Sequence, residues 1–483
     1  MNARAGVAVV WFRQDLRLAD NPALRAALDS GAPLLPLYID SHEEEGEWAP
    51  GGAARWWLHQ SLQALSTELA RRGSRLIVRR GPALSVLQEL CRESGTDAVY
   101  WNRRYEPLVR ARDARIKETL RAQGLVAESR NGSLLAEPWQ IATQQGGPYR
   151  LYTPFRRRLL AAIVPPAPLP APTTLPAPPE WPASLAVAEL GLMPAHDWCA
   201  PLAAAWQPGE ATAARRLGQF VAAGLARYAD RRDFPGEAGT SALSPCLHHG
   251  ELSPRQVWHA VLRGAAEAGL PAAEAIGGKF LAEVLWREFS YHLLHHFPHT
   301  PAAPLQESYA RFPWQDAPRA LDAWQRGRTG VPLIDAGMRE LWKTGWMHNR
   351  VRMAVASFLV KNLRQPWQAG ARWFWDTLVD ADLASNTQNW QWVAGCGADA
   401  APYYRVFNPV TQGRRYDPQG RYLRRWLPEL ARLDDQAIHA PWLAESTALA
   451  AAGVQLGRDY PPPIVDLQES RAAALAAWKS MRG

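Results

Sequence analysis

The sequence predicts two fold classes in one chain: an α/β N-terminal domain built on a parallel sheet, followed by a large all-α C-terminal domain. Three observations predict it. Residues 6–130 alternate short apolar runs with amphipathic stretches, residues 165–182 are crowded with proline, and beyond residue 206 helical periodicity dominates while strand signals almost vanish.

The N-terminal elements follow in order. Val7–Trp11 reads as a strand and Asn21–Asp29 as a helix. Pro33–Ile39 is a strand, Ala53–Arg72 a helix and Arg75–Arg79 a strand. Pro82–Glu93 is a helix, Ala98–Trp101 a strand and Leu108–Gln123 a helix. Such alternation argues for a parallel sheet covered on both faces. It is Rossmann-like, yet no G-x-G-x-x-G follows the first strand, so the usual dinucleotide fingerprint is missing. Proline at the density of 165–182 cannot form helix or sheet interior and predicts an extended, stiff connector. The helical part shows periodicity over Ala211–Ala229, Pro254–Ala268, Ala272–His296, Leu333–Lys343 and Arg350–Leu363. The expected divisions are 1–130 for the α/β domain, 131–205 for the linker and 206–483 for the helical domain.

Bulk composition narrows the function class. At 483 residues, with 47% apolar and 21% charged, the chain has the balance of a soluble protein of two or three domains. No run of eighteen apolar residues occurs, so no membrane partner is expected. The start, MNARAGVAVVWFRQDLR, reads as a first strand and not as a signal peptide. Cys91, Cys199, Cys246 and Cys396 are scattered without a CxxC pair, which indicates neither a disulfide framework nor a metal site and fits a reducing cytoplasm. The net charge of +8 favours a polyanionic partner such as nucleic acid, although a merely solvated basic surface gives the same number. Tryptophan, at 23 residues, is abundant. Either the helical core is rich in aromatics, or some indoles stack on a flat ligand or carry electrons.

Three segments concentrate chemistry. Asp380–Trp392 packs two acids, an amide and two indoles into thirteen residues, where helix capping and core packing are the bland alternatives. In Trp346–Met353, a helix starting near Asn349 places Asn349 and Met353 on one face and turns Arg352 elsewhere, free to meet a carboxylate. In Glu283–Ser290, the residues Glu283, Trp286, Arg287 and Ser290 fall at i, i+3, i+4 and i+7. A stripe that mixes acid, indole, guanidinium and hydroxyl is not the apolar stripe of a structural helix.

Taken in order, these segments resemble the photolyase/cryptochrome family. The likeness runs from Trp11-Phe-Arg-Gln-Asp-Leu-Arg-Leu through Gly239–Pro245, Trp286-Arg-Glu-Phe, Gly345–Met353 and Asp380–Trp392 to Phe407-Asn-Pro and Arg425–Leu430. The resemblance implies an α/β antenna domain linked to a helical FAD-binding domain. It implies that FAD is held by Tyr228, Thr240, Ser241, Ala242, Leu243, Ser244, Arg352, Asp380, Ala381, Asp382 and Asn386, with Arg352 paired to Asp380 and Asn386 beside flavin N5. Hydroxyls and backbone N–H groups at a helix start suit a pyrophosphate, though Ser244-Pro245 also reads as an ordinary cap and first helical residue. An amide at 386 does not readily supply a proton, which resembles the repair enzymes that keep flavin as the reduced anion.

The implied substrate is UV-damaged DNA. A pyrimidine dimer inside a duplex must be flipped out to reach a buried flavin, as photolyases do. Trp286 and Trp392 resemble the indoles lining the dimer pocket. Glu283 and Asn349 would bond pyrimidine edges and Met353 would pack on them; the histidine-rich replacements of (6-4) photolyases are missing here. Arg232, Arg287, Arg350 and Gln412, with Ser290, match DNA-contacting positions. Trp390, Trp367 and Trp314 match the family's electron-transfer chain, although a buried tryptophan is ordinarily core. The resemblance also implies an antenna chromophore. Tyr105-Glu106-Pro107-Leu108-Val109 lacks the Asn-Glu pair of the best-known folate enzymes, and His248 stands where the deazaflavin type has lysine. Arg55–His59 is closer to the plant-cryptochrome-like bacterial branch, which favours methenyltetrahydrofolate over 8-hydroxy-deazaflavin. Gln388-Asn389 replaces glycines found in many relatives. The reading is light-driven repair of cyclobutane dimers by a monomer. The competing readings are a cryptochrome-type blue-light photoreceptor without repair and an ordinary flavin oxidoreductase, the latter lacking a nicotinamide fingerprint.

Overall fold

A computed structural model describes residues 6–400 and 404–482. The chain runs β1 (Val7–Phe12), α1 (Pro22–Asp29), β2 (Leu34–Asp40), α2 (Gly52–Ala70), β3 (Ile77–Arg80), α3 (Ala83–Ser94), β4 (Thr96–Asn102), α4 (Pro107–Ala122) and β5 (Val126–Arg130). Helices follow: α5 (Tyr152–Ala162), α6 (Ala200–Ala205), α7 (Glu210–Gln219), α8 (Tyr228–Arg231), α9 (Ser244–His248), α10 (Pro254–Glu267), α11 (Ala272–Gly277) and α12 (Lys279–His296). The last group is α13 (Pro318–Gln325), α14 (Pro332–Thr344), α15 (Asn349–Ser357), α16 (Trp367–Thr377), α17 (Leu383–Ala394), α18 (Pro409–Tyr416), α19 (Arg421–Trp426), α20 (Ser446–Ala452) and α21 (Leu467–Arg482). Among the described residues no helix is long and apolar enough to cross a membrane.

The five strands form one parallel sheet in the order β3-β2-β1-β4-β5. Strand periodicity splits β1 between two cores: Ala8, Val10 and Phe12 join one apolar cluster, and Val7, Val9 and Trp11 join the other. Both faces are covered, which is why the strands read as continuous apolar runs. β5 was not foreseen. Its sequence, VAESR, is an edge strand with only Ala127 buried, so it carries no apolar run to reveal it.

Contacts divide the chain into two compact units. One takes the chain up to Leu225 with Ser241–Pro298 and Val379–Ala384; the other takes Ala226–Thr240, His299–Leu378 and the chain from Ser385 onward. In the first unit, the loop after β1 is fastened by Arg17. Its fully buried guanidinium donates to the carbonyls of Gly250 (2.8 Å), Gly132 (2.6 Å) and Asp20 (2.8 Å). Gly250 has φ +69°, and a Cβ there would lie 2.1 Å from the carbonyl oxygen of Gln14, so the loop requires glycine opposite it.

Three helices expected as continuous are interrupted. The 211–229 pattern ends as α7, and the Leu225 N–H then reaches back five residues to the Phe220 carbonyl in a wide turn. The 350–363 pattern ends the same way, with Leu363 N–H donating to Phe358 O at 3.0 Å. Side-chain periodicity barely registers such a one-residue change in winding. The 272–296 pattern breaks at Gly278, whose ψ of 160° is extended. The Gly277-Gly278 pair was the visible breaker there. Segment 163–186 holds no helix or strand, whereas 152–162 just before it forms α5.

Buried Glu251 joins three pieces of the first unit. Its Oε1 accepts from Trp57 Nε1 (3.0 Å), Ser61 Oγ (2.5 Å) and the Gly209 N–H (2.6 Å). Burial pushes its carboxyl up to about 7 despite those donors. Because this folded-state value exceeds the unfolded one, the stability it contributes is complete below about pH 4.3 and is lost as pH rises through about 7. Thermal melts at pH 6 and pH 8 should show a lower midpoint at pH 8, and Glu251→Gln should flatten that difference. Identical pH dependence in both proteins contradicts the assignment.

Candidate functional site

In the first unit the site is organised by α12. Leu281, Val284, Leu285, Glu288 and Phe289 are buried and fix the helix, while Glu283, Trp286 and Arg287 lie half-buried along the stripe read from the sequence. Trp286 stacks on Tyr152, with ring centroids 3.7 Å apart and planes at 8°. Arg287 donates to the Ser133 carbonyl (2.7 Å) and lies over the Tyr291 ring at 4.7 Å. Ser290 is buried, its hydroxyl donating to the Trp286 carbonyl at 3.0 Å. The polar groups of Arg287 and Ser290 therefore already serve the interior of the unit.

Asp382 is buried in the same unit beside Asp380 and Ala381. Tyr291 donates its hydroxyl to Asp382, and His248 Nδ1 lies 3.8 Å from Asp382 Oδ2. Burial pushes the carboxyl up, but His248, Arg287 and Tyr291 together outweigh it and hold Asp382 well below the usual carboxylate range. It is an ionised acid away from water. The turn before α9 contains Ser241, Ala242 and Leu243; Ala242 has φ +49°, the left-handed region an alanine seldom adopts. Leu243 occupies the cap position without a side-chain capping bond, so Ser244 is the first helical residue and not the cap. Strain held by a non-glycine residue clusters at ligand sites, and this turn carries the phosphate-binding residues implied by the resemblance.

In the second unit, half-buried Thr240 precedes this turn, and buried Tyr228 opens α8. Arg232 lies over the Tyr228 ring at 5.2 Å, with its Nε 3.9 Å from Asp233. Arg350 reaches the same Asp233 at 2.7 Å and covers the Tyr416 ring at 4.4 Å. Two of the expected DNA-contacting arginines thus converge on one carboxylate. Asn349 is exposed as the first residue of α15, and Met353 sits half-buried one turn on, as the spacing required. Arg352 Nε donates to the Met347 carbonyl at 2.7 Å. Gln412 is half-buried on α18, and Trp392 donates its indole N–H to the Asp399 carbonyl at 3.0 Å.

Buried Asn386 donates its amide to the Ala371 carbonyl at 3.0 Å, joining α17 to α16. Trp390 is buried and meets Phe374 edge-on, centroids 5.0 Å apart. A Cβ at Gly370 would lie 2.1 Å from Trp390 Cη2, so the indole fills the space that glycine leaves. Trp367 is buried three residues earlier on α16, and Trp314, partly exposed, packs on Phe312 at 4.4 Å. Tyr291 and Tyr152 escaped the sequence reading. Tyr291 was signalled by its place four residues after Arg287; Tyr152 had no comparable sign.

A pocket opens in the first unit, lined by Trp11, Tyr38, His42, Leu58, Arg104 and His248 among others. Its charges are matched. Arg104 pairs with Glu45 (2.6 Å) and Glu106 (2.9 Å), and Arg13 and Arg112 both pair with Asp113 (2.5 and 3.0 Å). An aromatic lining of this kind suits a flat small molecule. His248 belongs both to this lining and to the surroundings of Asp382.

Two family profiles match the chain: DNA photolyase over residues 8–174, and the FAD binding domain of DNA photolyase over residues 280–480. A deoxyribodipyrimidine photo-lyase of Agrobacterium fabrum is 47% identical, the alignment covering all of this chain and 99% of that protein. The chain belongs to the photolyase/cryptochrome family. Within that family, cryptochrome-1 of Arabidopsis thaliana is 40% identical over 99% of this chain and 70% of its own length. The crystal structure of a bacterial class III photolyase from Agrobacterium tumefaciens superposes with a TM-score of 0.95, covering 100% of this chain and 99% of that one. Gly370→Ala should destabilise the protein by ~1–3 kcal/mol, the range for overpacking, and shift the fluorescence of Trp390. An unchanged thermal midpoint contradicts the packing described.

Proposed function

We propose that this chain is a light-driven repair enzyme for cyclobutane pyrimidine dimers in DNA, a deoxyribodipyrimidine photo-lyase. The observation that carries the reading is α12. One helix presents a half-buried indole and an acid one turn apart, and from the same helix Tyr291 and Arg287 hold an ionised Asp382.

FAD in its reduced form supplies, when bound, the light-excited electron donor. The strained turn at Ala242 and the ionised Asp382 are the features that fit such a group. Tyr228, Thr240, Ser241, Leu243, Ser244, Arg352, Asp380 and Asp382 bind it in this reading. The Asn386 amide gives one N–H to the Ala371 carbonyl, and its oxygen serves to accept from an N–H. Trp390, Trp367 and Trp314 carry electrons inward. On the substrate side, Trp286 and Trp392 offer indole faces to flipped pyrimidines, Glu283 and Asn349 bond their edges, and Met353 packs beside them. Arg232, Arg350 and Gln412 meet the DNA backbone. Arg287 and Ser290, with their polar groups committed inside, contribute mainly by holding α12.

The functional division is an antenna domain at 1–130, a linker at 131–205 and a catalytic domain at 206–483. The cavity lined by Trp11 and His248 takes the antenna chromophore, methenyltetrahydrofolate first and 8-hydroxy-deazaflavin as the alternative. The protein acts as a cytoplasmic monomer.

The test is a thymine-dimer oligonucleotide incubated with flavin-reduced protein. Dimers should disappear under blue light and persist in darkness. Trp286→Ala should weaken lesion binding by ~1–3 kcal/mol, the range for base–aromatic stacking. Light absorption by flavin without any loss of dimers favours the cryptochrome-type photoreceptor instead.

A further inference from the structure

We infer that Tyr152 is a positioning residue for Trp286, closing one face of the indole and presenting the other to a base. The inference rests on the reading of Trp286 as a base-stacking residue. Tyr152 is the first residue of α5, and its ring lies parallel to the indole, centroids 3.7 Å apart at 8°. Its hydroxyl donates to the Ala282 carbonyl at 2.8 Å, one helical turn before Trp286. Tyr152 is thus held at both ends by α12, by its ring on a side chain and by its hydroxyl on the backbone.

Phe289 braces the pair, meeting Trp286 at 5.8 Å and 70° and Tyr152 at 6.0 Å and 65°. Tyr152 is only 9% exposed, whereas Trp286 is half-buried. The stack is therefore closed on the tyrosine side and can grow only on the side away from it. An indole with a free side-chain torsion loses rotamer freedom when a base stacks on it; an indole already stacked loses less, so the lesion meets a preorganised platform. Undamaged duplex, whose bases stay stacked in the helix, gains little from the same platform.

The experiment measures affinity for a thymine-dimer oligonucleotide and for the same undamaged sequence. The proteins are wild type, Tyr152→Met, Tyr152→Phe, Trp286→Ala and the Tyr152→Met/Trp286→Ala double variant. Flavin content and thermal midpoint monitor the fold, and Tyr152→Leu replaces the Met variant where that one does not fold. Tyr152→Met should lower the preference for damaged DNA roughly 2- to 10-fold, the range for an aromatic pair, while Tyr152→Phe, which keeps the ring, restores it. In the Trp286→Ala background Tyr152→Met should cost nothing further, because its effect passes through the indole. Wild-type preference in Tyr152→Met, equal loss in Tyr152→Phe, or a full further loss in the double variant overturns the inference while leaving the lesion pocket standing. Full lesion affinity in Trp286→Ala alone overturns the pocket reading and this inference with it.

Discussion

A carboxylate kept ionised away from water constrains everything packed around it. Asp382 is buried, and an isolated charge in that position would neutralise itself or unfold its surroundings. It stays charged because His248, Arg287 and the donating Tyr291 hydroxyl together outweigh the cost of burial. Two of those partners come from adjacent turns of α12, and the third closes α9. The acid therefore adds a polar constraint on the rotation of α12 to that of its buried Leu281, Val284, Leu285 and Phe289, and this rotation leaves Glu283 and Trp286 half-buried. Arg287 is fixed in turn by the Ser133 carbonyl, so the charge network reaches into the segment that follows β5.

Satisfying buried polar groups also accounts for conspicuous sequence features with no direct chemistry. The Trp11–Leu18 segment resembles a family signature, and Arg17 shows what it does: one guanidinium satisfies three backbone carbonyls far apart in sequence. Buried carbonyls need donors, and arginine's planar fork can serve several at once. The abundance of tryptophan divides the same way. Trp57 donates to Glu251 and Trp324 to the Val355 carbonyl, both as core residues with a satisfied N–H. Trp286 is instead stacked on Tyr152 and only half-buried, which sets it apart from those core indoles.

Much of this was legible in the sequence. Periodicity located the strands because a sheet buried on both faces leaves apolar runs, and it located α12 because the stripe repeats at helical spacing. It missed β5, whose polar edge has nothing to hide, and it overran the wide turns at 220–224 and 358–362, where the winding changes but the apolar periodicity is almost unbroken. The proposed site residues were named through family resemblance. Their partners were not. Tyr291, Tyr152 and the Ala371 carbonyl lie next to Asp382, Trp286 and Asn386 only after folding, and no local pattern connects positions 91, 134 and 15 residues apart.

In the proposed function the charge at Asp382 belongs to the flavin site and not only to its scaffold. Asp382→Asn keeps the shape and removes the charge, so the flavin retained per folded chain is the direct measurement. With far-ultraviolet circular dichroism unchanged, the account predicts FAD retention weakened roughly tenfold or more, as expected for loss of a charged hydrogen-bonding partner. Full retention of FAD by well-folded Asp382→Asn protein contradicts it.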